Sequence, residues 1–145
     1  MNLSVASSIA CAWIVLGTLA PVVEASSPLG GTTDLLVVAT CNVEDIVVTL
    51  LGDSAEWKVG QNRVVLEFHS APRKRLIDVG TVALEGRPAG AAAGRMVARA
   101  HVRRDVVPGR YLGAISVPRA GKWEVAVSWQ GRAGRGTGTL VVLAG

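Results

Sequence analysis

Eight short apolar runs recur along residues 34–144, each separated from the next by turn-forming residues. They are DLLVVAT (34–40), DIVVTLL (45–51), RVVLEFH (63–69), VGTVALE (79–85), MVARAHV (96–102), YLGAISV (111–117), KWEVAVSW (122–129) and GTLVVLA (138–144). Runs of this length, rich in Val and bounded by Gly, Pro and Asp, are strands of an all-β domain. No window carries a sustained 3.6-residue stripe. The one Ala-rich stretch, PAGAAAGRM, is broken by Gly90 and Gly94, which disfavour a helix interior.

The alternation inside the runs assigns faces. Trp123, Val125, Val127 and Trp129 point one way while Lys122, Glu124, Ala126 and Ser128 point the other, because strand side chains have a period of two. By the same rule Val64, Leu66 and Phe68 oppose Arg63, Glu67 and His69. Met96, Ala98, Ala100 and Val102 oppose Val97, Arg99 and His101. Three clean inner rows predict a layered β-structure with one face of each strand buried.

The segment PGRYLGAISVPRAGKWEVAVSW (108–129) has a Tyr just after a Gly turn and leads through Pro118–Gly121 into the next run, which reads as a hairpin. A tyrosine at the start of a late strand, bonded back to the preceding connection, is a feature of immunoglobulin-like domains. The expectation is an immunoglobulin-like antiparallel β-sandwich of about seven to eight strands. Tyr111 packs inside it with its hydroxyl on the DVVPG turn, and Trp123 and Trp129 enter the core beside it.

Residues 1–25 read as a signal peptide. Glu24 is the sole charged side chain among the first 33 residues, the stretch from Ile9 to Val23 is apolar, and Val23-Glu24-Ala25 offers a cleavage site after Ala25. The competing reading is an uncleaved membrane anchor, since residues 3–23 approach the ~20 apolar residues a bilayer requires. Either way the domain lies outside the cytoplasm, periplasmic or secreted. Residues 26–33, SSPLGGTT, form a linker and residues 34–145 the domain. Removing the signal leaves Cys41 alone, so no internal disulfide supports the fold, and Cys41 reads as a small buried apolar residue.

The 15 basic groups face 10 acidic ones after residue 33, and 12 of the basic groups are Arg. They are scattered singly without aromatic interleaving, which argues for a solvated surface and against a nucleic-acid partner. Catalytic signatures are missing: no GxSxG, HExxH or CxxC is present, and GRAGRGTG (131–138) runs into a strand instead of a phosphate-binding helix. The chain does not read as an enzyme. Met96, His101 and His69 remain as a candidate copper-ligand set, thioether and imidazole being suited to that metal. Met96 and His101 are an odd number of residues apart, so a site using both needs an irregular strand start. The competing reading makes Met96 core and leaves the histidines on an outer face beside Arg99 and Arg103.

The segment from Val48 to Leu143 resembles the YtkA-like (FixH-related) family of small exported domains. The likeness rests on VTLLGDSAEWKVGQNRVVLEF with its VGxN turn, on VALEGRP leading to a Gly-rich loop and Met96, and above all on PGRYLGAISVPRAGKWEVAVSW. It implies an immunoglobulin-like sandwich, an extracytoplasmic place and an association with copper or heavy-metal handling, and it does not imply an enzyme. Relatives carry several Met or His before the strand at 96–102, of which Met96 alone matches here. Two expectations follow. The first is a non-catalytic accessory or binding module of the cell envelope, with an envelope or membrane protein as partner. The second is a copper- or heavy-metal-handling protein that holds metal weakly through Met96 and a His.

Overall fold

A computed structural model describes residues 34–91 and 97–145. The signal and linker segments and Met96 lie outside the described residues. The described residues form nine strands: β1 (Leu36–Val43), β2 (Ile46–Gly52), β3 (Gly60–Ser70), β4 (Arg75–Leu76), β5 (Thr81–Pro88), β6 (Ala98–Arg104), β7 (Arg110–Val117), β8 (Gly121–Gly131) and β9 (Gly134–Ala144). All eight apolar runs became strands. The ninth, β4, has two residues and no apolar period to announce it; it exists because β3 outruns its other neighbour and pairs Ser70 and His69 with Arg75 and Leu76.

Every strand pairing is antiparallel, and the strands follow one continuous path, β1-β2-β3-β7-β6-β5-β8-β9, with β4 beside β3. The path curls until its two ends meet, so the architecture is nearly a barrel. At the seam, a Cβ on Gly138 of β9 would lie 2.8 Å from the Cys41 sulfur of β1. β6 divides its pairing: Ala98–Ala100 pair with β5, whereas His101–Arg104 pair with β7.

The expected hairpin at Pro118–Gly121 did not form. β7 pairs with β3 and β6, and β8 with β5 and β9, so the connection joins strands that β6 and β5 separate on the path, and each takes its neighbours from distant parts of the chain. Both inner rows are buried in one core, Tyr111, Ile115 and Val117 on β7 and Trp123, Val125 and Val127 on β8. The indole N–H of Trp123 donates to the Arg119 carbonyl at 3.1 Å and fastens the connection.

The core contains the inner residues read from the alternation: Val64, Leu66, Phe68, Ala98, Trp123, Val125, Val127 and Trp129 are all buried. Phe68 stands between Tyr111 and Trp129, with edge-to-face ring contacts of 5.3 Å to each, so Trp129 reaches Tyr111 through Phe68 and not directly. The glycines of GRAGRGTG are not merely loose. Gly131 and Gly134 close a tight turn, and Gly136 lies under the Trp129 ring, where a Cβ would meet the indole at 2.3 Å.

Asn62 explains the VGxN turn. Its carboxamide accepts from the Lys58 N–H at 2.8 Å and donates to the Lys58 carbonyl at 2.7 Å, clamping the bend before β3. That bend holds Trp57 in the core, where its backbone pairs with the end of β9 through bonds to Leu143 and Gly145, each 2.9 Å.

Candidate functional site

Three polar constellations stand out among the described residues. The first is built on Tyr111, whose phenol crosses from β7 to the β4–β5 connection. Its oxygen accepts from the Val79 N–H at 3.2 Å and lies 3.0 Å from both the Gly80 carbonyl and Asp78 Oδ1. The DVVPG turn, the expected partner, is closed by its own bonds: Asp105 N–H to Arg110 carbonyl at 2.9 Å and Arg110 N–H to Val107 carbonyl at 3.1 Å. Asp78 Oδ1 also accepts from Gly80 N–H at 2.8 Å and faces Arg104 at 3.3 Å.

Titration follows from those contacts. The Gly80 amide, and then Tyr111 and Arg104, hold the Asp78 carboxyl below its usual range against the opposing effect of burial. Burial, reinforced by the Asp78 carboxylate, pushes the Tyr111 phenol up. A lowered carboxyl pKa contributes stability above the unfolded value that is lost as pH falls through the folded one. A raised phenol pKa contributes stability below the unfolded value that is lost as pH rises through the folded one. Tyr111→Phe is therefore expected to cost about 1–3 kcal/mol at neutral pH, because the buried Val79 N–H is orphaned. It should also flatten both the acid and the alkaline limbs of stability, which chemical denaturation across pH measures. Unchanged limbs would mean that the corner carries no titrating load.

The second constellation lies on the outer face of β3 and β7. Arg110 donates through Nε at 3.0 Å and Nη2 at 2.7 Å to Glu67 Oε1, and His69 Nε2 lies 3.9 Å from Glu67 Oε2. Glu67 is thus engaged, and its half-buried position makes this pair a structural tie across the strands.

The third is a trough of about 550 Å³ on the outer face of β3, β7 and β6. Arg63 and His101 flank Ala114 from either side, since both are its register partners. Arg103 stands beside Leu112, two residues along β6. Leu112, Gly113 and Ala114 make a low floor between the three cationic or basic side chains. Arg63 meets Asp53 at 3.8 Å with both side chains more than half exposed, and Arg99 meets Glu85 at 3.2 Å. Neither His101 nor Arg103 makes an ion pair among the described residues.

The sequence-derived ligand set is not gathered as a whole. His101 is exposed on β6. His69 sits on β3 six residues beyond Arg63, the residue level with His101, so at ~3.3 Å per residue the two imidazoles are roughly 20 Å apart or more. Met96 lies outside the described residues. Cys41 faces inward at the β1–β9 seam, half-buried, and burial pushes its thiol pKa up, as a packing residue would show. Among the described residues no three His, Cys, Asp or Glu side chains cluster.

Sequence reasoning missed Asp78 and Arg63 as site members. Asp78-Val79-Gly80 carries a local signal, an Asp whose side chain can cap the amide two residues on. Arg63 carries none, because membership in the trough depends on which strand pairs with β3.

No family model and no curated protein matches the chain. Among solved structures it is similar to a DUF4785 family protein from Legionella pneumophila, with a TM-score of 0.51 and 13% identity over 71% of this chain. This chain spans 29% of that one. The likeness shows the all-β antiparallel fold.

Proposed function

We propose that this chain is an exported, non-catalytic domain, an immunoglobulin-like β-sandwich of YtkA-like type that serves as an accessory or binding module of the cell envelope. The observation that carries the reading is a division of labour among its polar groups. Tyr111, Asp78 and Arg104 bond to one another and to the Val79–Gly80 backbone, and Glu67 is taken up by Arg110, so both sets act as ties within the fold. The solvent-open groups of the trough, Arg63, His101 and Arg103, stand on a shallow outer face, an arrangement suited to recognition and not to bond breaking. In the sandwich reading, β6 is the strand that switches layers.

Export is tested by the intact mass of the protein recovered from outside the cytoplasm, which should start at Ser26. A full-length chain retained in the membrane would replace the cleaved signal with an anchor.

The second reading, weak copper handling through Met96 and a His, is favoured by the exposure of His101 on β6, five residues beyond Met96. Cu(I) should then be preferred to Zn(II), and Met96→Leu should weaken its uptake, the swap keeping volume while removing the thioether. Titration with Cu(I) checks this; equal uptake by wild type and Met96→Leu removes Met96 from the site.

A further inference from the structure

We propose that the trough between β3 and β6 is the docking surface for an extended acidic segment of a protein partner, one that carries carboxylates at alternate positions. This rests on the binding-module reading and names the partner chemistry.

Charge and spacing make the argument together. His101 and Arg103 lie two residues apart on one strand and so stand on the same face about 6.5–7 Å apart. Side chains at i and i+2 of an extended peptide have the same spacing, so a peptide running along β6 can set one carboxylate at each. Arg63 lies two strand widths across from His101, roughly 10 Å, level with it on the far side of Ala114. The carboxylate set at His101 is therefore flanked by Arg63 across the small Ala114.

The groups are available for this. Arg103 and His101 are exposed, and the Arg63–Asp53 contact at 3.8 Å, with both side chains more than half exposed, is the kind of pair that contributes little and is easily exchanged. Arg offers a planar fork that takes a carboxylate with two parallel hydrogen bonds. The half-buried Leu112 supplies apolar contact for the peptide's intervening atoms. By contrast, the larger concavity along β5, β8 and β9, about 780 Å³, has one cation, Arg135, among neutral residues.

The test uses the full chain and two synthetic peptides of seven residues. In one, three glutamates alternate with serines; in the other, the same glutamates are contiguous, so that in an extended chain they point to both sides. The alternating peptide should bind more tightly by about threefold or more, with affinity falling as salt is added. Arg63→Gln and Arg103→Gln should each weaken it about three- to fivefold, and the double variant about tenfold, while Arg135→Gln changes it less than twofold. Equal binding of both peptides, or equal loss in Arg135→Gln, would overturn the proposal in favour of general electrostatic attraction. Phosphatidylserine vesicles bound through Arg63 and Arg103, with neither peptide bound, would overturn it in favour of a membrane surface. Binding of nothing at all would also overturn it, yet would leave export and the copper reading to be decided by intact mass and Cu(I) titration.

Discussion

Trp123→Ala is expected to cost about 3–5 kcal/mol, the range for removing a large aromatic side chain from a packed core. Trp123 is fully buried, its indole N–H is bonded to Arg119, and its ring is one of the groups over Gly86. A domain of this size has about 5–15 kcal/mol of stability in total, so the variant should sit near the unfolding midpoint at room temperature. Lys122→Ala, one residue away and exposed, should stay within roughly 0.5 kcal/mol. Urea denaturation of the pair reads the contrast. A small effect at Trp123 would mean that the connection from β7 to β8 can relax into the space left behind.

Gly80→Ala should be almost as damaging for a different reason. Gly80 has φ +94, and an added Cβ would lie 2.2 Å from the Gln130 carbonyl oxygen and 2.6 Å from Gly131 Cα, all of it backbone. Left-handed strain accounts for about 1–2 kcal/mol, and forcing the two segments apart adds about 1–3 kcal/mol. Gly60 provides the control, with φ +103 and nothing within 4 Å of an added Cβ. Gly60→Ala should show the conformational part alone. If the two variants lose equal stability in the same denaturation experiment, the close approach of Gly80 to β8 contributes nothing.

Those two sites also mark what could be read in the sequence. Trp123, Val125, Val127 and Trp129 announce their burial by alternation, because a period of two is local and survives any arrangement of strands. The all-β class follows from the same signal, repeated eight times. Strand neighbours are not local. PRAG reads as a hairpin turn from its residues, yet β7 and β8 part company there, since β7 takes β3 and β6 as neighbours and β8 takes β5 and β9. Tyr111 was recognisable as an anchor but its partner was not: the turn nearest in sequence closes itself, and the phenol finds the amide and carbonyl at Val79 and Gly80, more than thirty residues upstream. The trough has the same character. Arg103 and His101 share a strand and could be seen together, whereas Arg63 joins them through the pairing of β3 with β7.

That pairing also sets the order in which the chain can finish folding. β1, β2 and β3 are neighbours both in sequence and in the sheet, as are β8 and β9, so these antiparallel units can form on the microsecond scale of hairpins. β3 receives its second long neighbour only when Arg110–Val117 arrives, some forty residues later. A chain that emerges from its N-terminus therefore carries a three-stranded meander with an open edge until β7 has been delivered and fitted between β3 and β6. In that interval the unpaired backbone of β3 is a template for any other extended chain, and Phe68 of its inner row gains the Trp129 ring only when β8 follows. Pairing of β7 closes the edge of β3, whereas the sheet is completed only when β8 and β9 extend it beyond β5, so two separate late steps end the exposure.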